Sequence, residues 1–277
     1  MPTRRNTLLT LATAPLSWRN SSASERVEPA QNLSVSSHAS GPATALRDRA
    51  PLRLLTTEYP PYMRSASSDG GAALAIGRAA LERAGIAAEV LFRPWARVIA
   101  EAERGESDGI LGVWFEPSRE RFLAYTQALG VSNRIGFMAR AGNAIVVDDL
   151  SRLNQKAGFR IGTVRGYANP PRFEQIGFTT DKAIDDATNL RKLLAGRIDL
   201  ALIDKGVAFH LLQTQMREAA SRLQWLEPAV ADMPLHMALT RNRPDLSALL
   251  GKINRGLSEL RDSGDLAQIL KRSAAWM

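Results

Sequence analysis

LRLLTTEYPPYMRSASSDGGAALAIGRAALERAGIAAEVLFRPWARVIAEAERGESDGILGVW, residues 52–114, carries three apolar runs separated by two helical periods. Leu52-Arg53-Leu54-Leu55-Thr56 reads as a buried strand. It stops at Glu58-Tyr59-Pro60-Pro61-Tyr62, because paired prolines cannot continue a ladder. Ala73, Leu74, Ile76, Ala80 and Leu81 recur at helical spacing and end at Gly85. Ala88-Glu89-Val90-Leu91-Phe92 is a second strand. A helix is expected over 95–104, with Val98, Ile99 and Ala102 on one side and Gly105 as its stop. Gly109-Ile110-Leu111-Gly112-Val113-Trp114 is a third strand. Strand, helix, strand, helix, strand in this order predicts a parallel sheet with crossover helices, hence an α/β class.

The pattern repeats downstream. After an apolar run at 135–139, a second α/β unit is expected: a strand over 159–164, helices near 181–187 and 190–195, a strand over 200–203 and a helix over 206–215. A late strand covers 234–240, and amphipathic helices over 246–261 and 265–273 close the chain. If those helices pack on the first unit, the chain crosses between units twice, which makes a hinge and a cleft.

Upstream, Arg4-Arg5 precedes a short, mildly apolar run through Leu16 that is too short to span a bilayer. This is the shape of a secretory signal, and the paired arginines resemble a twin-arginine export signal. Residues 17–50 are rich in Ser, Ala, Pro and Asn, with too little apolar surface to repay ordering, and read as a leader. They lack the two apolar-periodic helices of a helix-turn-helix domain.

The chain has 277 residues and no cysteine, which excludes disulfides, thiol nucleophiles, thiolate metal sites and iron–sulfur clusters. Only His38, His210 and His236 are available, and no two stand at metal-ligand spacing. No cofactor is expected. The net charge of +8 divides into six Arg against three acidic groups in the first 50 residues and thirty basic against twenty-five acidic groups after them. That excess is scattered and not interleaved with aromatics, so nucleic acid is not an expected partner. Neither a P-loop nor a dinucleotide glycine fingerprint nor a nucleophile turn is present. The adjacent pairs Asp148-Asp149 and Asp185-Asp186 do not suggest an acid–base site, since neighbours in sequence do not face each other on a helix.

Four stretches together resemble the periplasmic solute-binding proteins of polar amino-acid uptake, the extracellular solute-binding family 3: Glu58-Tyr59-Pro60-Pro61-Tyr62; Gly105-Glu106-Ser107-Asp108-Gly109; Glu116-Pro117-Ser118-Arg119-Glu120-Arg121 through Ala124-Tyr125-Thr126; and Gly196-Arg197-Ile198-Asp199-Leu200-Ala201-Leu202-Ile203-Asp204. The likeness runs from about residue 52 to 273. It implies a two-lobe, periplasmic-binding-protein-like (type II) α/β fold with two hinge-crossing strands. On that reading residues 1–50 are signal and leader, 51–134 and 241–277 form lobe 1, 141–234 form lobe 2, and 135–140 and 235–240 are the hinge strands. It implies a monomeric receptor in the periplasm that serves a membrane permease complex and binds a small polar or zwitterionic solute.

The resemblance also implies residue roles. Arg119 matches the arginine that holds a ligand α-carboxylate, and its planar fork suits that group. Asp204 matches the aspartate that holds the α-ammonium, at a strand's C-terminal end where ligands collect in α/β sheets. Read from the residues alone, Arg119 could equally pair with Glu116 or Glu120, and Asp204 could cap the helix that follows it. Tyr62 and Trp95 match aromatic walls, Trp114 is a third wall candidate, and the amides near Gly166-Tyr167-Ala168 match a carboxylate-binding turn. Arg97 is a candidate for an anionic ligand group. Two departures stand out: Gly112-Val113-Trp114 where the family often has serine, and Tyr167 where it often has threonine. An enzyme of dehydratase type on the same scaffold, with Glu58 as its acid or base, and a sensor for a membrane signalling partner are the other readings.

Overall fold

The computed structural model describes residues 50–155 and 158–274. The expected export segment and nearly all of the leader lie outside them. Strands β1 (Leu52–Thr56), β2 (Ala88–Phe92) and β3 (Gly109–Trp114) alternate with helices α1 (Ala72–Arg83) and α2 (Trp95–Glu103). Long strand β4 (Leu123–Arg140) leads through α3 (Leu150–Gln155) to a second unit. That unit holds β5 (Ile161–Val164), α4 (Pro171–Ile176), β6 (Thr180–Ala183), α5 (Asp186–Leu194), β7 (Leu200–Asp204) and α6 (Lys205–Thr214). A second long strand, β8 (Leu223–Thr240), then precedes α7 (Leu246–Asp262) and α8 (Asp265–Ala274).

All eight strands join one sheet in the order β2-β1-β3-β8-β4-β7-β5-β6. Each half carries the same parallel trio, with its first strand in the middle: β2-β1-β3 and β6-β5-β7. The halves hang on opposite ends of the antiparallel β4–β8 ribbon. Gly109 to Trp114 pair with Leu239 to Leu235 of β8 at one end, and Asp204 to Leu200 of β7 pair with Ile135 to Ala139 of β4 at the other. The register of the ribbon slips between Tyr125 and Ala128, between Ala128 and Ser132, and again between Ile135 and Phe137. Segments 135–140 and 235–240 lie within β4 and β8.

Matching turns support the two trios. The Asp108 carboxylate accepts the Arg53 amide at 2.7 Å, and Asp199 accepts the Arg160 amide at 2.9 Å. Each ties the start of a third strand to that of the first strand beside it, which accounts for an aspartate just before each buried run. The closing helices return to the first half. Helix α7 packs on α1 so closely that a Cβ at Gly256 would stand 2.4 Å from the Ala80 carbonyl oxygen. Arg83 at the end of α1 binds Asp265 at the start of α8.

One expected helix is a strand. Residues 180–183 pair in parallel with Ile161–Val164 as β6, and the helix waits for Asp185, whose carboxylate caps α5 by accepting the Thr188 amide at 2.7 Å. A polar edge strand has no apolar face to mark it in sequence.

Candidate functional site

The site is built from loops and element ends where the halves meet. The turn after β1 is closed by hydrogen bonds between Tyr59 and Met63 in both directions, 2.9 and 3.0 Å. It sets the rings of Tyr59 and Tyr62 in a stack 5.8 Å apart. At Gly112 the β3–β8 register shifts and φ is +81°, with Met63 lying where a side chain would go. Only glycine adopts this backbone freely. The bulge carries the strand on to Trp114, whose indole donates to Asn133 Oδ1 at 2.7 Å.

Tyr167 enters this cluster from the second half. Its ring meets Trp114 at 5.5 Å, Tyr59 at 6.0 Å and Trp95 at 6.1 Å, each edge to face. Tyr59, Trp114, Trp95 and Tyr167 thus form an aromatic box, with Tyr62 stacked behind Tyr59. Edge-to-face pairs at such spacing each add about 1 kcal/mol beyond burial. The gaps that remain are small. One of about 20 Å³ lies between Tyr59, Trp95, Trp114 and Tyr167; another of about 10 Å³ reaches Asp204. Each is about the size that a single water molecule occupies. Outside the box, a solvent-open groove of about 720 Å³ runs between Glu58, Trp95, Tyr167 and Asp186.

Arg119 sits on a short 3₁₀ turn, Pro117–Arg121, capped by the Glu116 carboxylate. Its side chain is buried, 5.5 Å from the Trp95 ring, and Nη2 donates to the Gly166 carbonyl at 2.9 Å. The Trp95 indole donates to the same carbonyl at 2.7 Å, so two donors of the first half converge on one oxygen of the second. Arg119 Nη1 is buried without an acceptor in hydrogen-bond geometry, the Tyr125 hydroxyl is the guanidinium's polar neighbour, and burial holds its pKa below the ordinary value. The Tyr167 amide turns back to Val164 O at 3.2 Å, so it serves the turn in this arrangement.

Asp204 ends β7 and is only 1% exposed. Its Oδ1 caps α6 by accepting the Val207 amide at 2.8 Å. Oδ2 is buried and meets no donor in hydrogen-bond geometry; besides Val207, the carboxyl's polar neighbours are Tyr62, the Arg134 backbone and Asn133. One oxygen of the carboxylate thus caps a helix and the other has no donor. Asp186, at the first turn of α5, is 6% exposed and accepts from the Tyr167 hydroxyl at 3.0 Å. Burial, before any neighbour, raises Asp204 to about 6 and Asp186 to about 7. Burial likewise pushes Tyr59, Tyr62 and Tyr167 up, so their hydroxyls stay neutral donors.

The raised carboxyls fix a sign. Between about pH 4 and 7 the folded chain holds protons on Asp186 and Asp204 that the unfolded chain has released, so their contribution is fully present below about pH 4 and is lost as pH rises through 6 and 7. Each contributes on the order of 3 kcal/mol over that range. Exposed carboxylates held low by hydrogen bonds, such as Glu106 and Asp265, act in the opposite sense. Calorimetric melts from pH 4 to 8 on the protein and on the Asp186→Asn/Asp204→Asn double variant separate the two. The variant should lose less stability, or gain more, as pH rises; parallel curves would contradict the shifts.

The structure brings Arg119, Asp204, Tyr62, Trp95, Trp114, Gly166 and Tyr167 together. Glu58 stands on the groove's rim, exposed, accepting the Ser65 amide at 3.0 Å. Arg97 lies outside the box, paired with Glu101 at 2.6 Å with its side chain 67% exposed. Sequence reasoning missed Tyr59, Asn133 and Asp186. Asp186 was legible: Asp186, Asn189, Leu190 and Leu193 are the buried stripe of α5, at helical spacing once Asp185 is taken as the cap.

The family model of bacterial extracellular solute-binding proteins, family 3, matches residues 53–274. No curated protein matches the chain. Among solved structures, a histidine kinase sensor domain similar to periplasmic binding proteins superposes with a TM-score of 0.68 at 20% identity, covering 83% of this chain and 96% of its own. An ancestral arginine-binding protein bound to arginine gives 0.66 at 19% identity, with 81% and 98% covered. The GluR0 ligand-binding core from Nostoc punctiforme, in complex with L-glutamate, gives 0.64 at 16% identity, with 80% and 98% covered. The halves described above are the two lobes of this fold. The chain belongs to extracellular solute-binding family 3.

Proposed function

We propose that this family-3 protein is an extracytoplasmic receptor that closes its lobes on a small zwitterionic, amino-acid-like solute. One observation carries the reading: Arg119 of the first lobe and Asp204 of the second are both buried at the same aromatic box, and each keeps an atom free, Nη1 and Oδ2. Buried charges are ordinarily paired, yet neither ion pairs with any described residue. An α-amino acid supplies both missing partners, its carboxylate to Arg119 and its ammonium to Asp204. Tyr62, Trp95, Trp114 and Tyr167 wall it in, and the Gly166 carbonyl latches the lobes.

Entry requires the lobes to part, because the gaps in the box are too small for such a solute. We place the bend at about 126–134 and 228–234, slightly earlier on each strand than 135–140 and 235–240. The reason is mechanical: residues 135–139 also pair with β7 and 235–239 with β3, whereas 126–134 and 228–234 pair within the sheet only across the ribbon, whose register is irregular there. The solute then passes to a membrane permease complex in the periplasm, the export being of twin-arginine type. Binding is favoured over catalysis because the candidate acid or base, Glu58, is exposed outside the box.

Titration calorimetry against a panel of α-amino acids, with matched amines and carboxylates lacking one charge, tests this. Amino acids should bind at least about tenfold tighter than either half-ligand, as loss of one buried charge contact entails. No heat with any amino acid would refute the reading.

A further inference from the structure

The charges around the box do not cancel. Arg119 is one buried cation; Asp204 and Asp186 are two buried carboxyls. The charged groups that bear on Asp186 are Asp185 and Asp204, both acidic. No ion pair among the described residues reaches it, and its side-chain hydrogen-bond donor is the Tyr167 hydroxyl at 3.0 Å.

Tyr167 thus does two things at once. Its ring fills the space among Tyr59, Trp95 and Trp114, and its tip satisfies Asp186. A solute chain tipped with an ammonium would do the same two things and would add the missing charge. Asp204, with Oδ2 free of a donor, lines the small gap beside Tyr167, and Asp186 lines the open groove that Tyr167 also borders. The groove's other charged residues are Glu58, Asp185, Arg93 and Arg191, so with Asp186 its acidic groups outnumber its basic ones. The faces of Tyr and Trp rings favour cations too.

We infer that Asp186 is a second cation subsite, and that the solute is a basic α-amino acid: its carboxylate meets Arg119, its α-ammonium meets Asp204, and its side-chain cation displaces the Tyr167 hydroxyl from Asp186. This rests on the zwitterion reading above and adds to it a third contact and a net ligand charge of +1.

Calorimetry with lysine, ornithine, norleucine, glutamine and a straight-chain diamine, on the wild type and on Asp186→Asn, tests it. Lysine or ornithine should bind at least about tenfold tighter than norleucine or glutamine. Asp186→Asn, which keeps an acceptor for Tyr167, should shrink that preference to about twofold or less while leaving norleucine and glutamine unchanged. Tyr167→Phe removes the competing hydroxyl and should strengthen lysine and ornithine relative to norleucine and glutamine; it also guards against a folding defect in the first variant. Equal affinities for basic and neutral amino acids, or a preference that survives Asp186→Asn, would overturn the subsite. If only the diamine binds, and does so through Asp186, the cation subsite stands and the amino-acid reading falls. If nothing binds, both fall.

Discussion

Asp204→Asn should weaken ligand binding by about 2–4 kcal/mol, roughly 30- to 1,000-fold, with no loss of thermal stability. Both halves of that result come from the two oxygens of one side chain. Oδ1 caps α6 through the Val207 amide, and asparagine caps as well as aspartate does. Oδ2 is the buried oxygen without a donor, on a carboxyl raised to about 6 by burial. Replacing it by an amide removes an ion that the fold must hold in a poorly solvating place at neutral pH, so the unliganded protein should melt at the same temperature or higher at pH 8. Asp204→Ala is the control. It loses the cap as well and should destabilise by about 1 kcal/mol. Calorimetric affinities and melts for the pair read both effects; unchanged affinity in Asp204→Asn would leave Asp204 a helix cap and nothing more.

What the chain shows in sequence depends on how each segment is buried. Strands β3 and β7 are buried along their whole length and read as continuous apolar runs, so their bounds are legible. Strand β6 is a sheet edge of Thr180, Asp181, Lys182 and Ala183, and only Ala183 is buried. The first half of β4 alternates buried positions with the exposed Gln127, Gly130, Ser132 and Arg134, and this polar face reads as loop. The site divides in the same way. Arg119 and Asp204 follow apolar strands whose ends are readable, and the family resemblance assigns them partners. Asp186 escapes a reading that sets it against its neighbour Asp185 instead of against its own helix. Asp185 faces back as a cap while Asp186 joins the inward stripe with Asn189, Leu190 and Leu193. The departure at Tyr167 was visible in sequence, but not its consequence, since the ring's partners Tyr59, Trp95 and Trp114 come from three separate elements of the other lobe.

Arg119→Met should separate two jobs that the side chain holds at once. Methionine keeps much of the buried stem and removes the fork. As a carboxylate receptor, Arg119 offers Nη1, which has no acceptor. As a latch, it donates Nη2 to the Gly166 carbonyl at 2.9 Å, and that carbonyl keeps the Trp95 indole at 2.7 Å when the arginine is gone. The latch is therefore duplicated and the receptor is not. Removing one partner of a buried, hydrogen-bonded charge pair costs about 2–5 kcal/mol, so affinity for an amino acid should fall by roughly 30-fold or more. Affinity for the matching amine, which has no carboxylate to lose, should stay within about threefold, because only the weaker closure contact is affected. Small-angle scattering with and without ligand tells whether the variant still closes. If amine and amino acid lose affinity equally and the variant stays open, Arg119 acts by closing the lobes, and the carboxylate must be bound elsewhere. If the amino acid alone is lost while closure with the amine persists, the free nitrogen of Arg119 is where the ligand's negative end is read.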